Sequence, residues 1–88
     1  MSEPWRYQLS ARAIRDLERL DPRLRARVFD ALDRLVEEPF TPQLRKLRGK
    51  QREWRPRVGD VRIRVRRDDA LHVVHVLRVL PRGSAYRD

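Results

Sequence analysis

The sequence predicts a small α+β domain in which two helices pack on one face of an antiparallel sheet. The prediction comes from a change of hydrophobic period along the chain. A short alternating stretch comes first, apolar residues then recur at helical spacing as far as Pro39, and alternation returns from Arg52 onward. The expected order is strand, two antiparallel helices, and a meander of three antiparallel strands. With 88 residues, 40% of them apolar, we expect one domain over residues 1–88 with a thin core.

The first strand and helix are predicted from residues 5–20. Trp5, Tyr7 and Leu9 alternate with polar residues, as in a strand with one buried face. Ser10 follows as a helix N-cap, because its hydroxyl can accept a hydrogen bond from a free backbone N–H of the first turn. Four apolar residues then form the stripe expected to face the core: Ala13, Ile14, Leu17 and Leu20.

The second helix is predicted to begin at Pro22 and to end before Pro39. Asp21 is suited to cap it, and proline is tolerated at the first helical position because its missing N–H would have no partner there. Apolar residues recur at helical spacing and are expected in the core: Leu24, Val28, Leu32 and Leu35.

A hairpin is predicted around Gly59-Asp60, a two-residue loop of the kind that forms primed turns. This loop would pair Val58 with Val61 and Arg57 with Arg62, and it would bring Arg55 opposite Arg64. The arginines of both strands should therefore emerge on one face and the valines on the other. Because Pro56 cannot donate a ladder hydrogen bond, its strand is expected at an edge of the sheet.

The last strand is predicted at residues 71–80, which are apolar on both faces as in a central strand. Its register depends on the turn at Asp68-Asp69. A two-residue turn would place His75 across from Arg62 on the basic face, whereas a three-residue turn would exchange the two faces. The sequence leaves both registers open.

The net charge of +9 is unevenly distributed. Residues 1–44 carry eight basic and eight acidic side chains, whereas residues 45–88 carry fourteen basic against five acidic ones. A polyanion or an acidic protein is therefore the expected partner. There is no cysteine, which excludes disulfides and thiolate sites, and no signal peptide or membrane span is evident. We expect a cytoplasmic protein without a membrane partner.

The row of arginines has two interpretations. Guanidinium groups bind phosphate oxygens bidentately, so the row could hold a nucleic-acid backbone, or it could be the solvated face of a sheet. Arg82 and Tyr86 could likewise stack and neutralise an unpaired nucleotide, or Tyr86 could pack over the sheet edge. His72 and His75 lie on the last predicted strand without a third ligand, so we expect no metal site and no cofactor.

The order of these elements, together with four motifs, resembles the RelE/ParE superfamily of bacterial type II toxins. The motifs are "LRKLRGK", "RVGDVRIRV", "HVLRV" and the spacing from Arg82 to Tyr86. The resemblance to RelE implies a metal-independent endoribonuclease that cuts mRNA in the ribosomal A site by attack of the 2′-hydroxyl, which leaves a 2′,3′-cyclic phosphate. It also implies a cognate antitoxin, and a higher-order complex on operator DNA formed through that antitoxin.

The same resemblance assigns roles to residues of this chain. The catalytic candidates are Arg57, Arg62, Arg82 and Tyr86, and the candidates for binding RNA phosphates are Arg55, Arg64, Lys46, Lys50 and His75. Two positions depart from the family pattern. Arg57 stands where lysine is frequent and cannot readily act as a base, and Pro81 stands where a histidine is common. The ribosome, or His75 under the two-residue turn, is left to supply the base.

Two other functions are compatible with the same fold. ParE-like members inhibit DNA gyrase by binding it and cut no RNA, and a degenerate toxin would only bind its antitoxin. Arg82 and Tyr86 favour the nuclease, because ParE-like chains tend to lack that terminal pair. Fold resemblance by itself does not choose among the three.

Overall fold

The structure, a computed structural model, describes residues 4–37 and 53–81. It contains two helices and five strands within these ranges. In chain order they are β1 (Arg6–Leu9), α1 (Ala11–Glu18), α2 (Pro22–Glu37), β2 (Glu53–Trp54), β3 (Arg57–Val58), β4 (Val61–Asp68) and β5 (Val73–Pro81). The predicted α+β class and element order are confirmed.

The strands form one sheet in the order β1-β5-β4-β2, with β3 also paired to β4. The antiparallel meander predicted from the second half of the chain is present, and β5 lies inside the sheet as its two apolar faces indicated. β1, however, joins the outer side of β5 in parallel, with Arg6 beside Val73 and Leu9 beside Val76. The sheet is therefore mixed, a feature that local patterning did not reveal.

Both predicted helix caps are present. Ser10 accepts a hydrogen bond from the Ala13 N–H at 3.0 Å, and Asp21 accepts one from the Arg23 N–H at 2.8 Å. Arg25 of α2 then donates to the carbonyl oxygens of Leu17 and Leu20, at 2.9 and 3.0 Å. This arginine adds side-chain donors to carbonyl groups at the end of α1 and in the connection that follows it, and so it connects the two helices. Within the described residues, neither helix is long and apolar enough to cross a membrane.

The core lies between the helices and one face of the sheet. Its buried side chains are Ala13, Leu17, Leu20, Val28, Leu32, Leu35, Val61, Ile63, Val65, Val74, Val76 and Val79. Ile14, which we expected in this core, is 47% exposed. The short helix α1 buries Ala13 and Leu17, which are four residues apart on one side, and Ile14 is rotated by about 100° from Ala13 toward solvent.

The first hairpin has the predicted register. Val58 pairs with Val61 and Arg57 with Arg62, and Gly59 has the positive φ of 58° that a type II′ turn places at its first central residue. Among the described residues, β2 and β3 pair only with β4, so Pro56, which lies between these two strands, is at the edge of the described sheet as expected. Glu53 and Trp54 continue the same register on β4, opposite Arg66 and Val65.

The turn between β4 and β5 differs from both predicted lengths. The last pair is Asp68 with Val73, so four residues, 69–72, form the loop, and His72 adopts a φ of 53° in it. Adding two residues to a two-residue turn keeps each side chain on the same face but shifts its partner. His75 is therefore on the basic face but lies opposite Arg66, and not opposite Arg62 as a two-residue turn would have placed it.

A β-bulge interrupts the β4–β5 ladder between Arg64 and Val65. Arg64 pairs with Arg78 and Val65 with Val76, so Leu77 is the extra residue. Without the bulge, the register that pairs Val65 with Val76 would continue, bring Leu77 opposite Arg64 and turn Arg78 toward the core. The bulge therefore directs Val79 into the core and Arg78 to the other face of the sheet, from which its guanidinium reaches Asp16 of α1 at the edge of β5.

Candidate nucleic-acid interface

Five arginines of β3, β4 and β5 emerge on the sheet face opposite the core, and we call them the arginine face: Arg57, Arg62, Arg64, Arg66 and Arg78. On β4, the valines and the isoleucine at alternate positions are buried, so the intervening arginines emerge on the other side. Arg57 and Arg78 share that side because each is directly paired with a β4 arginine. The predicted segregation of arginines to one face is therefore present in the structure.

The first row of this face is the directly paired Arg57 and Arg62, next to the Gly59-Asp60 turn. Arg57 is exposed, and it makes no hydrogen bond or ion pair to any residue in 4–37 or 53–81. Arg62 is half-buried, and Leu80, its partner on β5, is buried. Opposed side chains in an antiparallel pair are about 5 Å apart at Cβ. Two guanidinium groups can therefore converge on one anion here.

The second row is Arg64 and Arg78, and both arginines have carboxylate partners. Arg64 Nη2 lies 3.2 Å from Glu53 Oε1. Arg78 donates from Nε and Nη2 to the two oxygens of Asp16 on α1, at 2.9 and 3.3 Å. Asp16 also accepts the Val79 backbone N–H at 2.9 Å. Part of the charge of this row is thus balanced within the protein.

Asp16 has a pKa below its ordinary value of 3.8. Burial works in the opposite direction, because it disfavours the charged carboxylate, but the hydrogen bonds from Arg78 and Val79 and the positive charges of Arg78 and Arg19 outweigh it. The carboxylate is therefore ionised at neutral pH and holds Arg78 against α1.

The third row pairs Arg66 with His75. His75 Nε2 lies 3.7 Å from Asp68 Oδ2. The pKa of Asp68 is lowered mainly by the hydrogen bond from the Leu71 N–H, with further contributions from His75. Because Arg66 is four residues beyond Arg62 on the same strand, this row is about 13 Å from the first one. His75 is therefore too far from Arg57 and Arg62 to serve as the base suggested under the two-residue turn.

The other predicted site residues have different outcomes. Arg55 is exposed in the break between β2 and β3, beside the arginine face. His72 lies in the 69–72 loop and not on the strand with His75. Its ring stacks on the ring of Trp5, with the two centroids 5.0 Å apart. Four candidates lie outside the described residues: Lys46, Lys50, Arg82 and Tyr86.

The site predicted from the sequence lacked Arg66, Arg78 and the carboxylate of Asp16. Arg78 had a recognisable signal, because it is the one arginine or lysine in the otherwise apolar run from Val73 to Leu80. No sequence signal connects Asp16 with Arg78, since the two are 62 positions apart and meet only after α1 packs beside β5.

The arrangement is suited to holding a phosphodiester, because planar guanidinium groups match phosphate oxygens and can stabilise charge that develops on them. The guanidinium of arginine is already protonated at neutral pH and cannot accept another proton, so the pair of Arg57 and Arg62 does not supply a base. Within the described ranges, no three His, Cys, Asp or Glu side chains are grouped so that they could hold a metal ion.

Comparison with known proteins gives a consistent result. The family model for the ParE toxin of the type II toxin-antitoxin system parDE matches residues 7–86. A chain of the toxin-antitoxin complex RelBE2 from Mycobacterium tuberculosis is 32% identical, with a TM-score of 0.72 over 91% of this chain and 100% of that one. A chain of the archaeal RelE-RelB complex from Pyrococcus horikoshii is 25% identical, with a TM-score of 0.74 over 92% and 98%.

A mutant of the E. coli toxin RelE in its free state has a TM-score of 0.77, over 97% of this chain and 90% of that chain. At 21% identity, this last likeness concerns the fold alone. A search of curated protein sequences found no match.

Proposed function

The chain belongs to the RelE/ParE superfamily of toxins from type II toxin-antitoxin systems, and from this premise we propose that it is an endoribonuclease that cuts mRNA on the ribosome. The observation that best supports the proposal is the direct pairing of Arg57 with Arg62 on the sheet face opposite the core. Two guanidinium groups at this spacing can bind the non-bridging oxygens of one phosphodiester. The core lies on the other face of the sheet, and the side chain of Arg57 is exposed and able to contact an RNA strand.

In the proposed reaction, the ribose 2′-oxygen attacks the adjacent phosphorus and the bond from phosphorus to the 5′-oxygen breaks. The 2′-hydroxyl loses its proton to a base, and the leaving 5′-oxygen gains one. The products are a 2′,3′-cyclic phosphate and a free 5′-hydroxyl. Arg57 and Arg62 would stabilise the negative charge that builds up on the phosphorane oxygens, which is the contribution that fixed cations make best.

Arg82 and Tyr86 are proposed to complete this site. β5 ends at Pro81, which pairs with Val61, and these two residues directly precede Arg82 and Arg62 in the sequence. The end of β5 is thus beside the first row of the arginine face. In the proposal, Arg82 adds a third positive charge and Tyr86 stacks on an unpaired base, an interaction that holds single-stranded RNA in other proteins.

Dependence on the ribosome follows from the missing base. A site that holds the phosphate without removing the 2′-proton must obtain substrate positioning, and the proton acceptor, from its surroundings. Positioning alone can lower a reaction barrier by roughly 7–11 kcal/mol. We therefore propose that free RNA is cut poorly and that the ribosomal A site, in the cytoplasm, is where the chain acts.

Inhibition of DNA gyrase is the second candidate function, and the match of residues 7–86 to a model of ParE toxins favours it. Under this alternative, the chain binds gyrase as a protein inhibitor and leaves RNA intact. The arginine face would then contact protein or DNA instead of messenger RNA.

One induced culture can distinguish the two functions. If the chain is the nuclease, growth should stop and primer extension on translated messages should reveal new 5′ ends inside codons. Arg82→Ala and Tyr86→Ala should each remove these cuts. Intact messages in an arrested culture, accompanied by DNA breaks or loss of supercoiling and by indifference to Tyr86→Ala, would instead support gyrase as the target.

We also propose that a cognate antitoxin silences the chain. Several similar structures are toxin-antitoxin complexes, and the net charge of +9 favours an acidic partner. Through this antitoxin the pair could assemble on operator DNA. The test is to co-express the product of a short neighbouring reading frame: it should restore growth and co-purify with the toxin, and failure of both would contradict the pairing.

A further inference from the structure

Three polar side chains form a row across β4, β5 and β1 at the end of the arginine face farthest from the Gly59-Asp60 turn. Glu53 of β2, which is ion-paired with Arg64, continues this row on the other side of Arg66. Arg66 pairs with His75 in the antiparallel ladder, and Gln8 pairs with the same His75 in the parallel one. Residues paired across neighbouring strands share a face, so the three side chains emerge together. They lie on the same face as Arg57 and Arg62.

The row can donate hydrogen bonds from all three side chains. Arg66 and Gln8 are exposed, and Arg66 makes no hydrogen bond or ion pair within the described parts of the chain. His75 lies between them, 25% exposed, with Nε2 directed toward Asp68 at 3.7 Å. The Asp68 carboxylate is itself held by the Leu71 N–H at 3.0 Å. Asp68 thus helps to orient the imidazole while the guanidinium of Arg66 stays accessible.

The charges along the arginine face are discontinuous. Arg64 and Arg78, between the two ends, have Glu53 and Asp16 as partners. The accessible positive charge of Arg66 therefore lies about 13 Å from the row that contains Arg57 and Arg62, which is the length of four strand residues. The guanidinium groups of Arg57 and Arg66 are exposed toward the two ends of the face, and this spacing suits a partner that carries regularly repeated negative charges.

We propose that Arg66, His75 and Gln8 form a second phosphate-binding subsite, which holds the RNA backbone at a nucleotide flanking the one that is cut. This inference rests on the proposed nuclease function, because it supposes that the strand bound by Arg57 and Arg62 continues along the same face. Arg66 contacts the phosphate bidentately, and His75 and Gln8 donate to its remaining oxygens or to the adjoining sugar. The subsite takes part in binding the substrate and not in the chemical step.

An RNA backbone fits this row better than an acidic protein segment does. The row lies on one continuous face with the Arg57 and Arg62 pair, and a polynucleotide carries one phosphate per nucleotide at regular intervals. An acidic peptide would not need to reach both ends of the face. The two partners are nevertheless separable by experiment, because the same variants can be measured against each.

The test compares four variants of the full chain: Arg66→Ala, Arg66→Lys, His75→Ala and the control Arg12→Ala on an exposed position of α1. Binding of a short fluorescent single-stranded RNA is measured at several salt concentrations. Loss of one phosphate contact should weaken binding and make the slope of log K against log salt shallower by about 0.7. Arg66→Ala should show both effects, Arg66→Lys should recover the slope, and His75→Ala should weaken binding with a smaller change of slope.

Cleavage on programmed ribosomes supplies the second measurement. Arg66→Ala should raise KM and leave kcat unchanged, because it removes binding shared by substrate and transition state. Arg62→Ala should lower kcat. Thermal unfolding confirms that each variant is folded.

The outcomes separate this inference from the proposed function. If Arg66→Ala leaves RNA affinity and salt slope unchanged while Arg62→Ala abolishes cleavage, the second subsite is wrong and the nuclease stands. If Arg66→Ala weakens only the binding of the antitoxin, the row is a protein interface and the inference is likewise overturned. If Arg62→Ala does not affect cleavage, the proposed nuclease site itself is wrong.

Discussion

Carboxylate neighbours determine what each arginine on the sheet can do. Arg78 is held by both carboxylate oxygens of Asp16, and Arg64 Nη2 lies 3.2 Å from Glu53 Oε1. Arg57 and Arg66 make no ion pair or hydrogen bond within residues 4–37 and 53–81, although Glu53 on β2 lies opposite Arg66. An anion that approaches the face therefore meets accessible charge at the two ends and balanced charge in the middle. The same residue type thus has a structural role at Arg78 and a proposed binding role at Arg57.

Replacement of Arg57 or Arg62 by alanine should reduce mRNA cleavage far more than stability. Loss of one preorganised cation at a developing charge reduces kcat on the order of 10²–10³-fold. Arg57 is exposed, so its removal should change the free energy of unfolding by less than ~0.5 kcal/mol. Single-turnover cleavage and urea denaturation measure the two effects. Arg23→Ala, at an exposed position of α2, is the matched control and should change neither; an equally inactive Arg23→Ala would contradict the assignment.

Replacement of Asp16 by asparagine should destabilise the protein in a pH-dependent manner. The pKa of Asp16 is lowered in the folded state, so its stabilisation is present above its unfolded value of 3.8 and is lost as the pH falls through the folded value. At pH 7, Asp16→Asn should cost about 1–2 kcal/mol, because Arg78 loses its charged partner. The difference in the free energy of unfolding between Asp16→Asn and the wild type should become smaller below about pH 4.

Urea unfolding at several pH values measures this effect, and Glu18→Gln on the same helix is the control. A difference between Asp16→Asn and the wild type that stays constant down to pH 3 would show that the ionised carboxylate is not the source of the stabilisation.

At the scale of elements, α1 takes over from β1 along the edge of β5. β1 pairs with β5 only as far as Val76. Beyond that point, the Ser10 N–H donates to the Val76 carbonyl at 3.0 Å and the Ser10 hydroxyl to the Leu77 carbonyl at 2.8 Å. Asp16 then accepts the Val79 N–H. The backbone groups along this edge of β5, which a neighbouring strand would otherwise pair with, are thus hydrogen-bonded to Ser10 and Asp16 at the start and middle of α1. These contacts hold the bulge at Leu77 in place.

Replacement of Ser10 by alanine removes two hydrogen bonds of the hydroxyl at once. The hydroxyl caps α1 by accepting from the Ala13 N–H, and it also donates to the carbonyl of the bulged Leu77. Loss of an N-cap typically costs about 1 kcal/mol, and the unsatisfied carbonyl should bring the loss to about 2 kcal/mol. Ser10→Thr keeps the hydroxyl and should recover most of the stability. Equal denaturation midpoints for Ser10→Ala and the wild type would show that the hydroxyl is dispensable.

At the scale of the whole molecule, charge and architecture are divided along the chain. The residues up to 44 are neutral overall and contribute both helices, whereas the remainder carries the whole +9 and contributes β2 to β5. Because the sheet buries its apolar face against the helices, its arginines emerge on the opposite face. The molecule therefore has one strongly basic side, which attracts polyanions at long range.

This polarity predicts how the isolated chain and its complex should behave on heparin. The isolated chain, at +9, should elute at high salt, and a complex with an acidic antitoxin should elute at lower salt because part of the charge is neutralised. A salt gradient on the two samples measures the difference. Elution of both at the same salt concentration would indicate that the antitoxin leaves the basic side uncovered.

Local chemistry in the sequence determined the elements and one essential contact. Ser10, Asp21 and Pro22 mark helix starts through the hydrogen bonds and φ values that their side chains favour. The Gly59-Asp60 turn sets the pairing of Arg57 with Arg62, because a two-residue loop leaves a hairpin only one register. These features depend on residues only a few positions apart, and they could therefore be predicted.

The tertiary structure decided how the remaining residues come together. Ile14 is exposed, β1 runs parallel to β5, and His75 lies opposite Arg66, none of which a local pattern specifies. Arg78 reaches the arginine face only because a bulge at Leu77 is held by Ser10 and Asp16, which are 67 and 62 positions distant from their partners Leu77 and Arg78. Strand alternation predicts a face only while the register is unbroken, and here distant contacts determine where it breaks.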